Sequence, residues 1–79
     1  MRYERYESEI LSAFAAVRGN DSIVARWRME EEITAHPDRY PALAALSRIS
    51  IRRGIFQVLS RQQDIRMLAP TKRVFVVVS

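Results

Sequence analysis

The stretch Ser50–Gln62 gathers the side chains with the most to offer a ligand: Arg52, Arg53, Gln57, Ser60 and Arg61. At the helical period of about 100° per residue, Ile51, Ile55, Val58 and Leu59 form one apolar arc, with Phe56 at its edge. Arg53, Gln57, Ser60 and Arg61 fall on the other side, with Gly54 between them, and Arg52 lies at the opposite boundary. A planar guanidinium fork matches phosphate oxygens and the O6/N7 edge of guanine, and the glutamine amide matches adenine. Such a helix can anchor through one face and read a DNA groove with the other. A core helix with a merely solvated outer face would show the same wheel. Gly54 costs helix stability, about 1 kcal/mol relative to Ala. It serves either close approach to a backbone or packing.

Little in the chain could do covalent chemistry. His36 is the only histidine, placed beside Pro37 where a helix should end, so a solvated or capping role is expected. There is no cysteine, no Gly-rich phosphate loop and no metal-ligand spacing. Glu30, Glu31 and Glu32 are consecutive, so they point in different directions and read as a solvated face. No enzyme activity, cofactor or metal is expected.

Seventy-nine residues make one domain, with a thin core and no disulfide staple. Dimerisation is a common way for so small a chain to bury more surface. The net charge of +4 is unevenly spread. Residues 1–36 carry five Arg against seven Asp and Glu; residues 37–79 carry eight Lys and Arg against two Asp. Twelve of the thirteen basic residues are Arg. An Arg-rich genome would explain Arg over Lys, but not the gathering of charge in one half. No run approaches the roughly 20 apolar residues of a membrane helix, and the N-terminal residues lack the apolar core of a signal peptide. A cytoplasmic location and no membrane association are the expectation.

The elements that must hold the arginine face follow from periodicity. Tyr3, Tyr6, Ile10, Phe14 and Val17 share one face of a helix over Tyr3–Arg18, ended by Gly19-Asn20. That face closes the core or forms a dimer seam. Asp21 or Ser22 can cap a second helix running to about Thr34, with Ile23, Trp27 and Val24 inward and Arg26–Glu30 and Arg28–Glu32 paired along it. His36-Pro37 ends it. Pro41 opens a short helix to about Ser47 that presents Leu43 and Leu46, and Ser50 offers the cap for the next. Ile65–Leu68 and Val74–Val78 read as two antiparallel strands joined at Ala69-Pro70-Thr71-Lys72. The fold class is mainly α with a C-terminal β-hairpin: N-terminal helices in 1–36, a helix-turn-helix in 41–62 and a hairpin in 64–78.

The order of Ala42-Leu43-Ala44-Ala45-Leu46, a Ser-capped amphipathic helix and a hairpin resembles winged helix-turn-helix transcription regulators, especially the small ones of phages and plasmids. The likeness covers about half of the chain, residues 42–78, and rests on pattern. It implies that Ser50–Gln62 enters the major groove and that the hairpin is a wing touching phosphates or the minor groove. The DNA-binding set is then Arg48, Ser50, Arg52, Arg53, Gln57, Ser60, Arg61, Arg66, Thr71, Lys72 and Arg73. Lys72 and Arg73 could equally be gatekeepers against edge aggregation beside the valine run. The expected function is sequence-specific binding of double-stranded DNA as a repressor, by a homodimer. The alternative is a small protein-interaction module on the same fold, inhibiting or adapting a host protein.

Overall fold

A computed structural model describes residues 4–67 and 74–78, with side chains from Tyr6 onward. Helix α1 spans Glu4–Arg18, strand β1 Ile23–Ala25, helix α2 Arg26–Ala35, helix α3 Pro41–Ala44 and helix α4 Arg48–Ser60. Strands β2, Ile65–Met67, and β3, Val74–Val77, follow. The sheet has the order β1-β3-β2, antiparallel throughout. Among the described residues these make four helices and a three-stranded antiparallel sheet, an α+β architecture.

The third strand corrects the expectation of a lone hairpin. Residues 23–25 were expected inside a helix capped by Asp21 or Ser22. They form β1 instead, because Ile23 and Val24 are β-branched and β3 supplies the missing ladder. Ile23 pairs with Val76, Val24 with Phe75 and Ala25 with Val74, and Val77 N–H donates to Ser22 C=O at 2.8 Å. Helix α2 starts only at Arg26, without a side-chain cap. Its buried face is therefore Met29, Glu30 and Ile33. Trp27, expected in the core, is 62% exposed, and Ile23 is 55% exposed. Val24 is fully buried, as expected.

The core sits where α1 crosses α2, α3 and α4 and where α4 backs onto the sheet. Ile10, Ala13 and Phe14 of α1 meet Ile33, Leu43, Ile55, Leu59 and Phe75 in one cluster. The middle of the apolar face of α1, Ile10 and Phe14, is thus enclosed by the chain itself, while Tyr6 and Val17 stay half-buried. Gly54 belongs to this packing and not to the polar side of α4. It is buried, and a Cβ there would lie 3.3 Å from Ile10 Cδ1. Gly19 ends α1 with φ of 55°, in the left-handed region that glycine adopts readily. Helix α2 ends at Ala35, with His36 as its C-cap ahead of Pro37.

The cap of α4 is Ser47, not Ser50. Ser47 has an extended backbone, and its hydroxyl accepts from Ser50 N–H at 3.2 Å. The cap thus lies three residues earlier than expected, and Ser50 falls inside the first turn of α4. Helix α3 is shorter than expected and is held from outside. Its Ala42 and Leu43 N–H groups donate to the two carboxylate oxygens of Glu9 on α1, at 3.1 and 3.0 Å. Four residues cannot sustain a helix by internal hydrogen bonds, so a distant carboxylate takes over the capping. Among the described residues, no helix is long and apolar enough to cross a membrane.

Candidate functional site

Helix α4 carries three arginines, Arg48, Arg52 and Arg53, and no acidic residue. Arg48 opens the helix, at the N-terminus where the dipole disfavours positive charge. An anionic partner would reverse that penalty. The buried side is Ile51, Gly54, Ile55, Val58 and Leu59. Opposite them, Ile49, Arg53, Phe56 and Ser60 recur at spacings of four, three and four and share the outward face. Ser60, Arg53 and Ile49 are exposed, Gln57 is half-buried, and Phe56 is 39% exposed.

Arg52 is held by a residue on another helix. Its Nε–H is shared between Glu30 Oε1 at 3.1 Å and Oε2 at 3.2 Å. Arg26 Nε lies 3.1 Å from the same Oε2. This second contact is between charges: the buried Arg26 N–H is not aligned on the oxygen for a hydrogen bond. The Glu30 side chain is only 8% exposed, so its negative charge needs the two guanidinium groups around it. It fastens α2 to α4. The Arg26–Glu30 pair matches its spacing in the sequence, but Glu30 itself corrects the reading of the glutamate triplet as a solvated face. Glu31 is exposed. Glu32 faces Tyr40, Arg39 and His36, not Arg28.

Two concavities border the outer face of α4. A shallow one of about 240 Å³ is lined by Arg26, Arg52, Arg53, Phe56 and Gln57. A larger one of about 560 Å³ lies in the corner between α4 and β2, lined by Ser60, Arg61, Gln62, Gln63, Ile65, Arg66 and Met67. The expected site residues therefore group in two: Arg52, Arg53 and Gln57 at the first, Ser60, Arg61 and Arg66 at the second. Arg48 and Ser50 are exposed in the first turn of α4 and line neither. Thr71, Lys72 and Arg73, the expected wing contacts, lie outside the described residues. Arg26, Ile49 and Phe56 were not among the expected contacts.

Tyr40 is 3% exposed and its hydroxyl donates to Glu32 Oε2 at 2.9 Å. Burial, reinforced by this hydrogen bond and the Glu32 charge, pushes the phenol up to about 12, against a smaller opposing effect of Arg39. His36 Nε2 and Arg39 Nη1 each lie 3.8 Å from a Glu32 carboxylate oxygen. Glu32 thereby ties the end of α2 to the segment leading into α3. Among the described residues, no three His, Cys, Asp or Glu side chains gather to hold a metal ion.

Comparison with protein-family models, curated proteins and solved structures gives no match.

Proposed function

We infer that this chain is a sequence-specific, double-stranded DNA-binding transcription regulator with a winged helix-turn-helix architecture, working in the cytoplasm. The observation that carries the reading is the outer face of α4. It bears Arg53, Gln57 and Ser60, is flanked by Arg48, Arg52 and Arg61, and includes no acidic side chain. The order of elements supports it, since α4 runs directly into β2 and β3 as a groove helix runs into a wing. Arg53 and Gln57 read base edges from the middle of α4. Arg48, Arg61 and Arg66 neutralise phosphates on either side. Arg52 is steered by Glu30, which fixes the direction its guanidinium presents to the backbone of the duplex. A protein seated this way excludes others from the same DNA, and repression follows from occupancy.

The test is selection of genomic DNA fragments on purified protein at moderate salt. A sharp consensus is expected. Arg53→Ala and Gln57→Ala should each weaken binding to it by about 1–3 kcal/mol while leaving random DNA nearly unaffected. Weak, sequence-blind binding by the wild type would overturn the reading. A second reading, a protein-interaction module, is favoured by one observation: Trp27 is 62% exposed. Large aromatics of this kind anchor protein interfaces. In that case Trp27→Ala, and not Arg53→Ala, would abolish function.

A further inference from the structure

The outer face of α4 is not simply polar. Ile49 is 63% exposed, the highest value among the described large apolar side chains, and Phe56 is 39% exposed. The two are seven residues apart, two helical turns, and Arg53 stands between them on the same face. Single exposed apolar residues are ordinary. Two on one stripe, set among Arg48, Arg52 and Arg53, form a mixed surface that suits neither a lipid bilayer core nor an apolar protein groove. The charge selects a polyanion, and the apolar side chains select a polyanion with apolar points on its readable edge. The major groove of DNA has one such point, the C5 methyl of thymine, which Phe and aliphatic side chains contact.

Resting on the DNA-binding reading above, we propose that Ile49 and Phe56 are specificity-determining residues that recognise thymine through its C5 methyl. Phe56 lines the shallow concavity of about 240 Å³ together with Arg53 and Gln57. A methyl entering there comes within reach of the side chains that hydrogen-bond to neighbouring bases. Ile49 and Phe56 lie about 10 Å apart along the helix axis, which spans about three base pairs of B-DNA. The preferred site therefore contains two thymines at about that separation, with the base read by Arg53 between them.

The experiment begins with duplexes selected from a random pool by the purified chain. The enriched duplex is then synthesised with thymine or with deoxyuridine at each thymine in turn, which removes the methyl and leaves the hydrogen-bonding edge intact. Wild-type affinity should fall about three- to five-fold at each of two positions, the effect of losing one buried methyl contact. Ile49→Ala should erase the sensitivity at one position and Phe56→Ala at the other, with circular dichroism confirming that each variant is folded. Ile49 is the more exposed of the two, so its variant keeps the test valid if Phe56→Ala unfolds. Enrichment of a site that tolerates deoxyuridine everywhere would overturn the thymine assignment and leave the DNA-binding reading in place. Unchanged thymine-to-uracil ratios in both variants would do the same. A pool yielding no enriched sequence would overturn both, and the stripe would then belong to a protein partner.

Discussion

Glu30 shows what a single carboxylate can do between two helices. In the sequence it is the first of three consecutive glutamates, and its i,i+4 arginine does not set it apart from Glu32, which has Arg28 at the same spacing. Its partner Arg52 is 22 positions away, so the pair becomes visible only once α2 and α4 are packed together. The i,i+4 pairing with Arg26 was legible because it depends on helical spacing alone. Removing the charge leaves two guanidinium groups beside a vacated, largely buried position. Glu30→Ala should therefore lower stability by about 2–4 kcal/mol, read by chemical denaturation. Glu30→Gln should lose less, since the amide oxygen still accepts from Arg52. If Glu30→Ala unfolds at the wild-type denaturant concentration, the clamp contributes nothing. Tyr40 gives a second expectation at this scale. Its folded phenol titrates at about 12 against an ordinary 10.0, so the folded state favours the protonated form. Its contribution to stability is fully present below pH 10 and is lost as the pH rises through about 12. Tyr40→Phe should remove that alkaline loss and also cost the hydrogen bond to Glu32. A wild-type protein whose stability is flat between pH 10 and 12 would contradict the assignment.

The elements divide by how local their causes are. Helix α1, its glycine stop, the His36-Pro37 exit and Pro41 at the start of α3 all follow from signals within a few residues. The apolar arc of α4 was legible too, apart from Gly54, which joins it, and Phe56, which was expected at its edge and lies on the outward face. Periodicity placed that glycine on the polar side, yet it lies against Ile10 because α1 crosses α4 there. Strand β1 was read as helix because three residues carry little periodicity, and what makes them a strand is β3, some fifty positions later. The same non-locality explains α3. Helix α3 relies on Glu9, 33 and 34 residues away, to satisfy its first N–H groups. Glu9→Ala should cost about 1–2 kcal/mol, the range for losing a helix cap. It should also raise hydrogen exchange at the Ala42 and Leu43 amides ahead of global unfolding. Exchange at those amides that matches the wild type would mean that solvent replaces the carboxylate without loss.

At the scale of the whole molecule, what remains to be explained is the outer face of the sheet. Strand alternation puts Val24, Met67 and Phe75 on the inner face, where Val24 and Phe75 are fully buried. By the same alternation, the paired residues Ile23 and Val76, and Ala25 and Val74, share the outer face. Ile23 is 55% exposed, and the flanking Val78 is 38% exposed. The valine run is therefore apolar on both faces while only one faces the core. Arg66, paired with Val76 from the β2 side, occupies the same outer face and confines an apolar seam to the β1–β3 side. A second copy packed there by two-fold symmetry would cover this surface and leave both α4 faces free. On the DNA-binding proposal, two α4 helices related in that way call for an inverted-repeat site. The expected outcome is a homodimer whose melting temperature rises with protein concentration. Ile23→Lys with Val76→Lys should yield folded monomers, by sedimentation, that bind isolated half-sites weakly. Replacing Ile10 would not test the seam, because a charge at that fully buried position unfolds the monomer itself. A wild-type chain that sediments as a monomer at tens of micromolar, with a concentration-independent melting temperature, would rule out this assembly. On the DNA-binding proposal, recognition would then fall to one α4 alone or to copies that meet only on the duplex.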